Sequence, residues 1–175
     1  QRLEIVKALA RDARVLILDE PTAALAPQEV NDLFAALGRL RSSGAAIVLI
    51  THKLREVLAL ADRVTVLRRG AMVVTGEAGR FGAAELARAM IGDAAAPADL
   101  AEALEVATLD APDAAARPAG PALEVRELRV CRPGTRRFAV EGVSLTVAAG
   151  EIVGIAAVEG NGQRELMRAV AGLLP

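Results

Sequence analysis

Val15-Leu16-Ile17-Leu18-Asp19-Glu20-Pro21-Thr22 is a short apolar run that ends in two adjacent carboxylates. Ile47-Val48-Leu49-Ile50-Thr51-His52 repeats the design further along the chain, with a threonine and the only histidine at its end. Continuous apolar runs of this length suit strands buried on both faces of a parallel sheet, and such strands deliver polar groups to the sheet's carboxyl edge. Two adjacent carboxylates at such an edge suit a magnesium-nucleotide site. The first can hold the hydrated metal, while the second, pointing elsewhere on the pleat, can orient or deprotonate an attacking water. Asp-Glu-Pro is also ordinary turn chemistry, and a lone histidine is more often a surface or core residue than a functional one. It is the pair of strands ending at one edge that favours the functional reading.

Composition narrows the class. Lysine plus arginine number 21 against 22 aspartate plus glutamate, for a net charge of −1. That balance leaves no electrostatic footprint for nucleic acid or anionic lipid. Tyrosine and tryptophan are absent and only three phenylalanines occur, which argues against base-stacking platforms. The single cysteine, Cys131, cannot make an internal disulfide and fits a reducing compartment. The 53% hydrophobic content comes largely from alanine, and no uninterrupted apolar run approaches the roughly eighteen residues of a membrane span. The chain opens on glutamine with no signal peptide, as expected for a piece of a longer protein.

The order of elements is α/β. Leu3, Val6, Leu9 and Ala10 predict an opening helix to about Arg11, before the strand at Val15 to Leu18. Pro27 suits a helix start, and Val30, Leu33, Phe34, Leu37 and Leu40 make one stripe that stops before Ser42-Ser43-Gly44. A strand at Ala46 to Ile50 and a short helix through Leu54, Val57 and Leu58 follow. Val64 to Leu67 and Met72 to Thr75 flank Arg69-Gly70 as a hairpin, and a helix spans about Ala83 to Ile91. The pattern predicts a parallel core sheet with a small antiparallel extension. From Gly92 to Pro121 alanine, aspartate and proline dominate, which reads as a linker with a helical turn near Leu100 to Val106. Beyond it, Leu123 to Leu128 and Val143 to Val147 alternate as half-buried strands. Strand Ile152 to Ala156 then leads through Ala157-Val158-Glu159-Gly160-Asn161-Gly162 into a helix with Leu166, Val170 and Leu173 on one side. Strand, glycine-bearing loop and helix start is the layout of a phosphate-binding loop, whose usual sequence is Gly-x-x-x-x-Gly-Lys-Ser/Thr. A plain strand-turn-helix with no phosphate role is the competing reading.

The stretch from Gln1 to about Ile91 resembles the C-terminal part of an ATP-binding-cassette nucleotide-binding domain, and residues 122–175 resemble the N-terminal part of a second one. The implied fold class is an α/β P-loop NTPase with a parallel core sheet and antiparallel β pieces, in two partial domains, 1–91 and 122–175, joined by a linker at 92–121. The resemblance makes Asp19 the magnesium carboxylate, Glu20 the catalytic glutamate and His52 the switch histidine that contacts the γ-phosphate. Gln1-Arg2 match the last two residues of the signature motif, and Gln1 would close the signature facing the second loop. Ala23-Ala24-Leu25-Ala26 fall at the family's D-loop and depart from its usual Ser-Ala-Leu-Asp.

The second loop, Gly160, Asn161, Gly162, Gln163 and Arg164, is degenerate. Aligned on Gly162, the first glycine becomes Ala157, the lysine Gln163 and the metal-binding hydroxyl Arg164. The only lysines are Lys7 and Lys53, neither in a glycine-rich loop. Phe138 is the only aromatic near the place where the family stacks adenine. Two fused cassettes, the second degenerate, resemble the ATPase subunits of bacterial importers for simple sugars and nucleosides. That resemblance implies ATP and Mg2+ as cofactors. It also implies permease subunits and the other cassette as partners, and a substrate-binding protein as an indirect one. Nucleic acid is not an expected partner, and the expected location is peripheral, on the cytoplasmic face of the inner membrane. One active and one largely structural site would result. A soluble twin-cassette ATPase acting on ribosomes is the alternative. Such proteins usually follow the switch histidine with aspartate and arginine, where this chain has Lys53-Leu54-Arg55, and they carry long basic linkers rather than an acidic, alanine-rich one. A non-catalytic scaffold would lack Asp19 or Glu20.

Overall fold

The computed structural model describes residues 14–92, 120–132, 135, 137–158 and 160–174. The expected opening helix, the helical turn near 100–106 and Gln1 lie outside them. Seven strands and four α-helices are described: β1 (Val15–Asp19), α1 (Pro27–Ser42), β2 (Ala46–Thr51), α2 (Leu54–Leu60), β3 (Arg63–Arg68), β4 (Ala71–Glu77), α3 (Ala83–Ile91), β5 (Pro121–Cys131), β6 (Phe138–Ala148), β7 (Ile152–Ala156) and α4 (Gln163–Val170).

Five strands form one sheet in the order β1-β2-β7-β3-β4. The first four run parallel, and β4 adds the antiparallel edge expected from the hairpin. β7 therefore lies between β2 and β3, so one sheet carries strands from both sides of residues 93–119. It is held there at both margins. Ile47 N–H donates to Glu151 O (2.8 Å), Asp62 N–H donates to Ile152 O (2.9 Å), and Ile152 N–H donates to an Asp62 carboxylate oxygen (2.9 Å). Arg41, at the end of α1, reaches the other Asp62 oxygen at 3.4 Å.

Side-chain alternation decides what covers each face. Leu16, Leu18, Ile47, Leu49, Val64, Val66, Ile152 and Ala156 face a core closed by α1, α2 and α3, through Leu33, Leu37, Leu54, Val57 and Leu86. Val48, Ile50, Leu67, Val153 and Ile155 face a second core, closed by the β5–β6 hairpin and α4 through Val140, Val143, Val147 and Leu166. Every residue of β2 and β7 is buried, as their uninterrupted apolar runs predict. Gly154 belongs to this fit: a Cβ there would lie 2.9 Å from Val57 Cγ1 and 3.2 Å from Ala61 Cβ. On one point the sequence reading is corrected. α4 ends at Val170, and Leu173, expected on its apolar side, is exposed beyond it.

α1 starts where Pro27 removes an N–H that a first turn leaves unpaired anyway, and Glu29 accepts the Ala26 N–H at 3.0 Å. The chain then turns through Gly44, at φ 93°, into β2. These short connections bring the carboxyl ends of β1 and β2 side by side, with Asp19 paired to Ile50 in register.

Candidate nucleotide site

Asp19 closes β1, and the backbone bends sharply after it. Glu20 takes φ 43°, the left-handed region that non-glycine residues rarely adopt. Its N–H donates to Ile50 O at 2.8 Å, so the bend is tied to the neighbouring strand. His52 follows the end of β2, and its Nδ1 lies 3.0 Å from Glu20 Oε1, with the two side chains 50% and 38% exposed. The structure thus brings together the carboxylate and imidazole that the sequence placed on separate strands, and leaves both open to solvent.

Beneath them lies a buried polar group that sequence reasoning missed. Thr22 donates to Glu56 Oε1, and Lys53 Nζ donates to Thr22 Oγ1 at 3.2 Å while lying 3.8 Å from Glu56 Oε1. Thr22 and Glu56 are 2% and 4% exposed. Nothing in the sequence marked Glu56, which reads as a polar position on a short helix. Thr22 stood in the decisive stretch, but only folding shows what it bonds.

The loop after β7 shares this edge, because β2 and β7 run parallel with Thr51 paired to Ala156. Gly160 and Gly162 have φ 87° and 95°, and α4 begins at Gln163. Glycine at 162 is required twice over, since a Cβ there would also lie 2.1 Å from the carbonyl oxygen of Ala139. Asn161 docks the loop on the β3–β4 turn: its side-chain oxygen accepts the Arg69 N–H (2.8 Å) and its carbonyl accepts the Gly70 N–H (2.9 Å). Gln163, at the lysine position, is 5% exposed and folds back to donate from Nε2 to Val158 O at 3.3 Å. Its Oε1 has no hydrogen-bond partner among the described residues. Arg164 is exposed in the first turn of α4. Phe138 is half-exposed at the start of β6, next to the Ala139 carbonyl that crowds Gly162.

These residues fit a nucleotide phosphate in part. A Cβ at Gly160 would meet nothing within 4 Å, so that side of the loop is open, and the loop leads into a helix N-terminus that favours anions. The fit to Mg2+ rests on Asp19 alone. Among the described residues no group of three or more His, Cys, Asp or Glu side chains could hold a metal. A magnesium ion that keeps its waters and takes one carboxylate plus substrate phosphates needs no such group. No helix among the described residues is long and apolar enough to cross a membrane.

Comparison with known proteins agrees over the whole length. The chain is 43% identical to the nucleoside import ATP-binding protein NupA of Lactococcus lactis, over 99% of this chain and 32% of that protein. It is 46% identical to the glucose import ATP-binding protein TsgD13 of Haloferax volcanii (99% and 29%). To the ribose import ATP-binding protein RbsA 1 of Rubrobacter xylanophilus it is 44% identical (100% and 31%). No family model and no solved structure matches the chain. The chain spans about a third of the length of these relatives, and within that span it is similar to import ATP-binding proteins, in line with the ATP-binding-cassette resemblance of its sequence.

Proposed function

We propose that the longer protein containing this chain is the ATP-hydrolysing subunit of a bacterial importer for simple sugars or nucleosides, with a catalytic first site and a degenerate second one. In this reading 1–91 ends the first cassette, 92–121 is the linker and 122–175 begins the second. The observation that carries it is the 3.0 Å approach of His52 to Glu20 at the ends of two buried parallel strands. Mg·ATP bound at this edge supplies the phosphoanhydride and the cation that offsets its charge. Asp19 would hold the metal, Glu20 would orient water and accept its proton, and His52 would hold the Glu20 carboxylate and contact the terminal phosphate. The second loop keeps the backbone shape for phosphate through Gly160, Asn161 and Gly162, but Gln163 and Arg164 replace the ammonium and hydroxyl that hydrolysis needs. Gln1 would face that loop from the signature motif. Permease subunits would follow the opening and closing of the paired cassettes at the cytoplasmic face of the inner membrane, and a substrate-binding protein would deliver cargo to them. The import proteins among the relatives do not favour the ribosomal alternative.

The test is Glu20→Gln in the full-length protein, read in a coupled phosphate-release assay. Turnover falls at least about a hundredfold, in the range expected of a general base, while ATP binding persists. Near-native turnover would overturn the assignment.

A further inference from the structure

Among the described residues, Glu56 is the buried carboxylate beside the site that the proposed reaction does not use. It sits in the first turn of α2 at 4% exposure, with Oε1 accepting from Thr22 and Oε2 without a hydrogen-bond partner among the described residues. Burying a carboxylate with one oxygen unsatisfied costs free energy, and an apolar side chain of similar volume would serve packing better. What the carboxylate adds is direction. Thr22 lies two residues after Glu20, and Lys53 lies one residue after His52. Glu56 therefore grips both loops that carry the exposed pair, from the buried side. Lys53 Nζ donates to Thr22 Oγ1, which in turn donates to Glu56, so both capacities of the hydroxyl are used.

Glu20 needs such a grip. Its φ of 43° is a strained conformation that persists only where the surroundings over-determine it. On one side the Glu20 N–H is tied to Ile50 O. On the other, the Ala23 N–H closes the turn onto Glu20 O at 3.2 Å, and the first side-chain anchor is the hydrogen bond of Thr22 to Glu56. Release of that anchor lets the turn relax and carries the Glu20 carboxylate away from His52.

We propose that Glu56 is a positioning residue, acting through Thr22 and Lys53 to hold Glu20 against His52. The consequence for turnover rests on the reading of Glu20 and His52 as hydrolytic groups. In the full-length ATPase, Glu56→Ala lowers kcat about tenfold with KM for ATP changed less than about twofold, the signature of lost alignment rather than lost binding. Glu56→Gln keeps an acceptor for Thr22 and stays within about twofold of the parent. Thr22→Val, a near-isosteric change, reproduces the loss if Glu56→Ala folds poorly. Combining the two adds little to the larger single effect, because they break one contact.

A second readout follows His52 by NMR in the full-length protein, its ring-proton resonances assigned as those lost in His52→Ala. They move in Glu56→Ala and return toward the parent position in Glu56→Gln. Unmoved resonances, equal kcat losses for the Ala and Gln variants, or a rise in KM alone would each overturn the proposal. If Glu20→Gln instead kept native turnover, the hydrolytic reading would fall while the His52 resonances still decided the role of Glu56.

Discussion

The loops after β1 and β2 and the loop after β7 lie at the same sheet edge but are built differently. The first two are stitched by side chains: Glu20 to His52, Thr22 to Glu56, and Lys53 to Thr22. The third is shaped by backbone, with Gly160 and Gly162 in left-handed conformations, Asn161 bonded to main-chain N–H groups and Gln163 turned back on its own loop. Side chains can carry and tune charge at a reacting atom, whereas a backbone loop offers N–H groups for an anion and little else. The β7 loop, with neither lysine nor hydroxyl, is equipped to hold phosphate better than to cleave it, whereas the first two loops carry the groups proposed for cleavage.

The largest expected effect tests the stitched side. Glu20→Gln or His52→Ala in the full-length protein lowers steady-state ATP turnover by about a hundredfold or more, and a loss of less than about threefold in a phosphate-release assay would erase the contrast between the two loops. The next tests the backbone side. Gly162→Ala places a Cβ against the Ala139 carbonyl and strains a φ of 95°, so it lowers the stability of the 175-residue chain by about 1–3 kcal/mol in urea titration. Gly79, which has an ordinary φ and nothing within 4 Å of an added Cβ, tolerates alanine with a change within about 0.5 kcal/mol. Restoring the lost chemistry sharpens the comparison further. Gln163→Lys with Arg164→Ser in the full-length protein raises nucleotide affinity at the second site about tenfold by returning a phosphate-neutralising charge, as titration with a fluorescent nucleotide would show. The smallest effect is a null result. The 175-residue chain gives no magnesium-dependent ATP hydrolysis above background, because its one described phosphate-type loop holds Gln163 and Arg164 in place of the ammonium and hydroxyl.

Much of the fold was legible because its signals are local. Uninterrupted apolar runs gave β1, β2 and β7, Pro27 gave the start of α1, and the stripe through Leu33 and Leu37 gave its buried face. The helix at Ala83–Ile91 fell where expected. Leu173 misled because a helical period continues in the letters after α4 has stopped at Val170. The insertion of β7 between β2 and β3 left no local trace, since any fully apolar strand satisfies a two-sided environment and register is set by what the folded neighbours leave open. That Glu20 and His52 would meet at one edge was legible from their strand-end positions. Glu56 was not, because a buried carboxylate on a helix looks like any exposed one until its partners are in place.

The central position of β7 also sets an order of events during synthesis. Ile152 bonds Asp62 across a separation of 90 residues. At about 5–20 residues per second, a ribosome needs on the order of ten seconds to make that stretch. Until β7 is made, neither β2 nor β3 has the partner that β7 provides in this sheet, and β2 is apolar on both faces. Non-local parallel pairing of this kind is slow to close and leaves strand edges open to wrong partners. In this chain the acidic Asp62 and the neighbouring Arg63 stand at the mouth of the gap, placing charge beside the apolar edge while its strand is still to come.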